Sequence, residues 1–406
     1  VINMETETLL LSSQHHKQKA CIKILLTLVT FLALTNVVTI ILAIETNTFK
    51  ECAETATFNF DSPEIDIPDG NQFDFNTTVC DGYRHLWQDP SIPLSERNVI
   101  GRAIFQTPAK LQEALSLIRL GKRYDLGRDY APDMPFAFGR YLNTTLHCSS
   151  DDVVRGVCTQ GIDTNAVGNI GTQFDFFGHI FLVDADKANE TDFPSNEYLR
   201  IWNNFKGSDV FENYAGDGDV GIAYFGVEKL PMFFTKAILV DVAGYKGVEV
   251  LDEYYAITLD DVLSAMQAQN IQASEIGAGD VFLFYTGWSV YYELNTTLLY
   301  DRVKTPGIAP EVMLDLLFET NVAIVGSDNW GIDAKSIDPQ TNQTYLQAVH
   351  NIFLPCGGGF LHELLKLDEW VHDARNGDAP WIGAYVYQPV PFRGGVASPG
   401  RPAVFV

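Results

Sequence analysis

From residue 237 onward the chain alternates short apolar runs with amphipathic stretches. Ala237-Ile-Leu-Val-Asp-Val-Ala-Gly244 and Asp280-Val-Phe-Leu-Phe-Tyr-Thr-Gly287 are almost wholly apolar, as strands buried on both faces must be. Between them, residues 258–269 predict a helix, with Thr258 at its N-cap and Asp261 three residues on. Residues 310–320 predict another, with Pro310 in the first turn where its missing N–H costs nothing. Val322-Ala-Ile-Val-Gly326 follows as a strand. Upstream, residues 108–121 have apolar positions at helical spacing, opened by Pro108 and stopped by Gly121. Strands alternating with helices predict an α/β protein. No internal repeat or second composition boundary divides it.

The stretch Asn169-Ile-Gly-Thr-Gln173-Phe-Asp175-Phe-Phe-Gly-His179 has another pattern. If it is extended, Asn169, Gly171, Gln173 and Asp175 share one face, and Phe174 and Phe176 enter a core on the other. Two amides, a carboxylate and a glycine that leaves room for a ligand, with His179 just beyond, make half of a metal site.

From Ile24 to Ile44 no residue is charged, and Lys17, Lys19 and Lys23 precede the run. A run of roughly 20 apolar residues can span a bilayer. The lysines put residues 1–20 in the cytoplasm and everything after 44 in the lumen or exterior. The run is longer than the roughly 7–15 residues of a signal-peptide core, so an uncleaved anchor over 21–44 is favoured over a cleaved, secreted form. Sequons at Asn76, Asn143, Asn189, Asn295 and Asn342 all lie beyond it, as glycosylation in a secretory compartment requires. Cys52 with Cys80 and Cys148 with Cys158 would form two short-range disulfides; Cys356 is left as a buried free thiol. Residues 45–95 read as an acidic arm. The net charge of −25 leaves no basic footprint for nucleic acid.

Several segments together resemble the cyclase family of metal-dependent hydrolases, which includes bacterial kynurenine formamidase. They are the 169–179 stretch, Gly121-Lys-Arg-Tyr-Asp-Leu126 with Met134-Pro, Asp241-Val-Ala-Gly-Tyr-Lys-Gly247, Thr286-Gly-Trp288, Gly326-Ser-Asp-Asn-Trp-Gly331 and the tail from Arg393 to Pro402. The resemblance covers residues from about 100 to the end. It implies a swivelling β/β/α-type layered domain over 96–406, which the apolar run would precede as one transmembrane helix. It also implies that His350, on a helix, and Glu363, thirteen residues later on a strand, complete the site. His362 has opposite parity to Glu363 and should point away.

The family carries His-x-Gly-Thr-His-x-Asp-x-x-x-His at the first stretch. This chain keeps Gly171, Thr172, Asp175 and His179 but has Asn169 and Gln173 where the histidines stand. The ligand set Asp175, His350 and Glu363 survives and the other does not. An amide oxygen is a weaker donor than imidazole, so one divalent ion, Mn²⁺ or Zn²⁺, is expected. Gln173 would be a fourth ligand or water-orienting group, and Asn169 would support the site from behind. His179 is the candidate general acid/base. Phe177, Trp288 and Trp330 are candidate walls for an aromatic amide substrate. The chain then reads as a membrane-tethered hydrolase of C–N bonds, able to associate with a second copy. The alternative is a metal-free binding protein that keeps the fold.

Overall fold

The computed structural model describes residues 98–150, 156–183, 199–211, 221–294, 296–301, 303–337, 344–345 and 347–406. The apolar run at 24–44, the acidic arm, Cys52, Cys80 and the sequons at Asn76, Asn189, Asn295 and Asn342 lie outside them. Among the described residues no helix is long and apolar enough to cross a membrane.

A nine-stranded mixed sheet organises the fold. In chain order its strands are β1 (Arg123–Asp125), β2 (Gln173–Asp175), β3 (Phe233–Asp241), β4 (Val281–Tyr285), β5 (Ile324–Ser327), β6 (Phe360–Glu363), β7 (Ile382–Tyr387), β8 (Ala397–Pro399) and β9 (Ala403–Phe405). Across the sheet they run β1-β9-β7-β3-β4-β5-β6-β2-β8. The neighbours β3, β4, β5 and β6 pair in parallel, and every other pairing is antiparallel. Parallel strands need crossovers, and the helices Leu259–Ala268, 310–318 and 348–356 supply them. Ala237–Val240 of β3 and Val281–Phe284 of β4 are completely buried, which explains why both strands read as unbroken apolar runs.

Local sequence explains most element ends. Thr258 and Asp261 form a reciprocal capping box at the start of Leu259–Ala268. β3 ends at Asp241 rather than running to Gly244, because the Asp241 carboxylate accepts the Gly244 N–H at 2.8 Å and starts a helical turn. The first helix stops at Leu115 rather than at Gly121. The chain end accounts for this: Leu120 N–H donates to Val406 O at 3.0 Å and Val406 N–H to Lys122 O at 3.1 Å, so the segment leaves the helix to pair there. Residues 310–318 begin as an α-turn and widen into π-type turns from Met313.

Cys148 and Cys158 face each other across the hairpin Leu142–Ser150/Gly156–Thr164 and are disulfide-bonded. Asn143, in the same hairpin, is exposed. Cys356 is disulfide-bonded rather than a free thiol, which corrects the sequence expectation. Its partner lies outside the described residues, so nothing near it in sequence gave the pairing away.

Arg102 is buried, and among the described residues no carboxylate lies within ion-pair distance of it. Its guanidinium donates to Gly357 O (2.9 Å), Val322 O (3.0 Å), Phe318 O (3.3 Å) and Leu317 O (3.4 Å), and lies over the Phe318 and Phe353 rings. It thereby collects carbonyls from the ends of two crossover helices. Arg102→Met should leave these acceptors dry and lower unfolding stability by about 3 kcal/mol or more. Denaturant unfolding of the purified variant checks this; a loss under about 1 kcal/mol would mean that water replaces the guanidinium.

Candidate metal centre

The centre forms where β2 lies antiparallel to β6. Gln173 pairs with Glu363, Phe174 with His362 and Asp175 with Leu361. Directly opposed residues project to the same face, so Gln173, Asp175 and Glu363 share one side and Phe174 and His362 the other. As expected from parity, His362 points away from Glu363. It packs edge-on against Phe174, and its Nδ1 meets the Tyr385 hydroxyl at 2.6 Å. Burial drives its pKa down to about 3, so the ring is neutral.

The stretch before β2 is not extended throughout. Gly171 adopts φ +58°, and a Cβ there would stand 3.3 Å from Met134 and 3.4 Å from the Tyr130 ring. Asn169 therefore reaches the centre around a turn rather than by strand parity. Its Nδ2 donates to Asp175 Oδ1 at 2.9 Å. After Asp175 a short turn, Phe177–His179, closes with His179 N–H on Phe176 O at 2.8 Å. His179 is half-buried at its end.

His350 arrives on the helical turn Ala348–Asn351. Asp333 Oδ1 accepts the backbone N–H of Val349 and, at 3.2 Å, that of His350, while Oδ2 takes the imidazole Nδ1–H. One carboxylate thus caps the turn and fixes the ring. With Nδ1 committed, Nε2 faces Glu363 Oε1 at 3.2 Å and Asp175 Oδ2 at 3.8 Å. Gln173 Nε2 donates to Glu363 Oε2 at 2.9 Å and reaches Asp175 Oδ2 at 3.4 Å.

Asp175, His350 and Glu363 are all buried, and each offers a ligand atom within 4.8 Å of the others. The buried Gln173 Oε1 has no hydrogen-bond donor, and Glu363 Oε1 is approached only by the His350 ring. Burial raises the Glu363 pKa and the Asp175 charge adds to it, against the opposing pull of His350. Asp175 feels the same burial, but the fields of His179, His350 and Arg140 outweigh it and hold this carboxyl low. His350 is pushed well up despite burial, by Asp333, Asp175 and Glu363. Converging acceptors with too few protons among them fit a small divalent cation.

The three aromatic candidates differ in placement. Phe177 is wholly inside the core, against Phe176, Trp202, Phe225 and Phe360. Trp288 is 1% exposed and belongs to a smaller cluster with Leu299, Trp330 and Leu364. Trp330 lies at the edge of that cluster, its ring 5.3 Å from Phe138 and 5.4 Å from Tyr300. Phe138, 62% exposed at φ +53°, and Tyr300 escaped the sequence reading because nothing in their spacing ties them to Trp330. Asp333 escaped it too: it stands 17 residues before His350, and only the bridge of Asp333 to Ile308 brings it under the helical turn.

This is a mixed α/β protein with a buried carboxylate–imidazole centre at the junction of the parallel strands and their antiparallel edge. Residues 124–334, more than half of the chain, match the family described as "Putative cyclase", and the chain belongs to that family. Asn169, Gln173, Asp175 and His179 lie inside the match, and His350 and Glu363 beyond it. Among solved structures, that of a novel cyclase is similar at 20% identity and a TM-score of 0.60, over 77% of this chain and 97% of its own. That likeness is one of fold. Isatin hydrolase A from Ralstonia solanacearum aligns at 19% identity and a TM-score of 0.46, over 70% of this chain and 91% of its own. The isatin hydrolase A of Labrenzia aggregata gives 18%, 0.45, 72% and 94% respectively. No curated protein sequence matches the chain.

If Asp333 holds the ring in the ligand tautomer, Asp333→Asn should weaken divalent-metal affinity by roughly 10–100-fold. Competition against a chromogenic chelator measures this. Unchanged affinity would show that the helix and packing alone orient His350.

Proposed function

We propose that the protein is a metal-dependent hydrolase that cleaves a C–N bond in an amide, formamide or cyclic amide. The observation that carries this reading is the buried convergence of Asp175, His350 and Glu363 beside a buried Gln173 oxygen that no protein donor satisfies. Family membership supports it. When bound, one divalent ion would supply Lewis-acid polarisation of the carbonyl and a water acidified toward neutral pH.

The protein's own groups have separate tasks in this reading. Asp333 fixes His350, and Asn169 fixes Asp175. Gln173 turns an amide toward the two carboxylates and can present either its oxygen to the cation or its N–H to them. His179, half-exposed beside Asp175, is the general acid/base. Trp330, with Phe138 and Tyr300, forms the wall for an aromatic substrate; Trp288 backs it from inside, while Phe177 belongs to the main core and takes no part. The apolar run at 24–44 and the sequons support a domain tethered to the membrane and facing the lumen or exterior.

A second reading is a binding protein that works without metal. It is favoured by the Gln173 N–H lying within 2.9 and 3.4 Å of both carboxylates, where it can stabilise the empty centre. Elemental analysis of the purified protein separates the two. The hydrolase reading expects about one ion per chain, with Mn²⁺ supporting activity at least as well as Zn²⁺. Gln173→His should tighten zinc binding, Asn169→His added to it should move the stoichiometry toward two, and Glu363→Ala should abolish binding in every background. Two tightly held ions in the wild type would overturn the single-ion assignment. No ion in the wild type and none gained by Gln173→His would favour the binding protein.

The role of His179 has its own test. His179→Ala should leave metal content unchanged while turnover of an aryl formamide falls by roughly 10²-fold or more. A parallel fall of metal content and turnover would make His179 a ligand instead.

A further inference from the structure

Most of the charged side chains inside this protein are matched. Arg375 pairs with both oxygens of Asp241, and Lys110 and Lys236 share Asp280. Arg128 is different. Its guanidinium carbon lies 4.2 Å from the centre of the Tyr292 ring, and its Nε and Nη2 are buried with no acceptor. These two N–H groups form one edge of the guanidinium, the fork that grips both oxygens of a carboxylate. The Tyr292 hydroxyl is also buried without a partner. Burial raises its pKa against the pull of Arg128, and Asp129, Asp133 and Glu293 raise it further, so it keeps its proton and is a third donor. Buried donors left open cost stability, which a matching acceptor restores.

Arg128 and Tyr292 line a cleft of about 570 Å³ walled by the loop after β1 and the turn Tyr291–Leu294. Asp175, His350 and Glu363 do not line it, so it is separate from the metal centre. At one side Asp125 is matched, by Arg123 at 3.2 Å and Arg401 at 3.6 Å. Asp129, Asp133, Glu293 and Glu369 also line the cleft; they are exposed and have no ion-pair partner among the described residues, and the same holds for Lys366. These four carboxylates against Arg128 and Lys366 leave a surplus of two negative charges. A simple anion is repelled by that rim before it reaches the fork, and a simple cation leaves the fork open. Tyr292 is the one aromatic ring in the lining, and Arg128 already lies over it, so the cleft suits an aliphatic ligand.

We infer that this cleft binds a basic amino acid, with its carboxylate in the Arg128 fork and on the Tyr292 hydroxyl, and its cationic groups among Asp129, Asp133, Glu293 and Glu369. One carboxylate with two ammonium groups answers both the open fork and the negative surplus of the rim. The fork is shut from water in the empty cleft, so the guanidinium lifts off the Tyr292 ring to take the carboxylate. The carboxyl end of a peptide that finishes in lysine offers the same carboxylate and side-chain ammonium. Binding here depends on neither the metal nor the hydrolase activity.

The probes are L-lysine, L-norleucine, which lacks the side-chain ammonium, and cadaverine, which lacks the carboxylate. Calorimetric titration of the full protein, as purified and again after chelation, should give L-lysine roughly 10-fold or more tighter binding than either in both states. Arg128→Met should lower L-lysine to the level of cadaverine while metal content stays unchanged. Asp133→Asn combined with Glu293→Gln, at two exposed positions, should lower it to the level of L-norleucine and keeps the test open if the Met variant does not fold. N-acetyl-L-lysine separates the two sources: binding equal to L-lysine assigns the carboxyl end of a peptide, and weaker binding the free amino acid. No binding of L-lysine, equal binding of all three probes, or a preference that survives both sets of substitutions would overturn the inference. So would a preference that vanishes on chelation, since the carboxylate would then sit on the metal.

Discussion

The pairing of Gln173 with Glu363 across β2 and β6 is the constraint on which the rest of the centre depends. Strand faces alternate with a period of two, so a slip of one residue would replace Glu363 by His362 beside the ligands. What forbids the slip is the opposite face. Phe174 stacks on Phe360 at 5.3 Å and packs against Phe233 and Tyr387, in the largest core cluster of the molecule. β2 has only three residues, and β8 holds its other edge in register, with Ala397 opposite Asp175. Hydrophobic packing on one side thus fixes polar geometry on the other, at a precision that three ladder pairs could not provide alone.

The polar side has an electrostatic problem. Asp175, Glu363 and Asp333 surround a single imidazole, all of them out of water. Burying unpaired carboxylates is strongly unfavourable, and the protein meets this in two ways. Asp333 spends its acceptors on two backbone N–H groups and the His350 ring. The ring in turn holds a proton far above its ordinary range, between Glu363 and Asp175. A metal ion would take the place of that proton. Metal and proton therefore compete for the same lone pairs, which makes affinity rise with pH until the ring and both carboxyls are free.

The parts of this centre that lie close together in sequence were legible, and those joined by topology were less so. Asp175 and Gln173 follow from strand parity over two residues, and the Thr258 cap from a three-residue spacing. His350 and Glu363 could be placed only through a resemblance, because a lone histidine on a four-residue helical turn has no periodic signal of its own. Asn169 reaches Asp175, but not along an extended strand, since Gly171 turns the chain between them. Phe177 adjoins the motif, but the turn after Asp175 sends its ring inward to Phe225 and Trp202. Arg140 and Asp333 have no local signal: their partners are 29 and 17 residues away, and neither separation matches a helix or strand period.

Position 173 decides how such a centre behaves when empty. An imidazole there would bring a second lone pair toward two carboxylates that share few donors, and a cation or proton would have to sit between them. A primary amide has both characters. Its N–H now faces Glu363 and Asp175, and a half-turn about its last bond would present the oxygen instead, with little change in shape. The centre can therefore fold and persist without metal, because the amide supplies part of the missing positive charge. The same hydrogen bonds must be given up when an ion enters. Each bond to a charged carboxylate is worth about 1.5–3 kcal/mol, so the amide should weaken metal binding through both a poorer ligand atom and a better-stabilised empty state. An ion held this way should therefore exchange more readily than one held by a second imidazole.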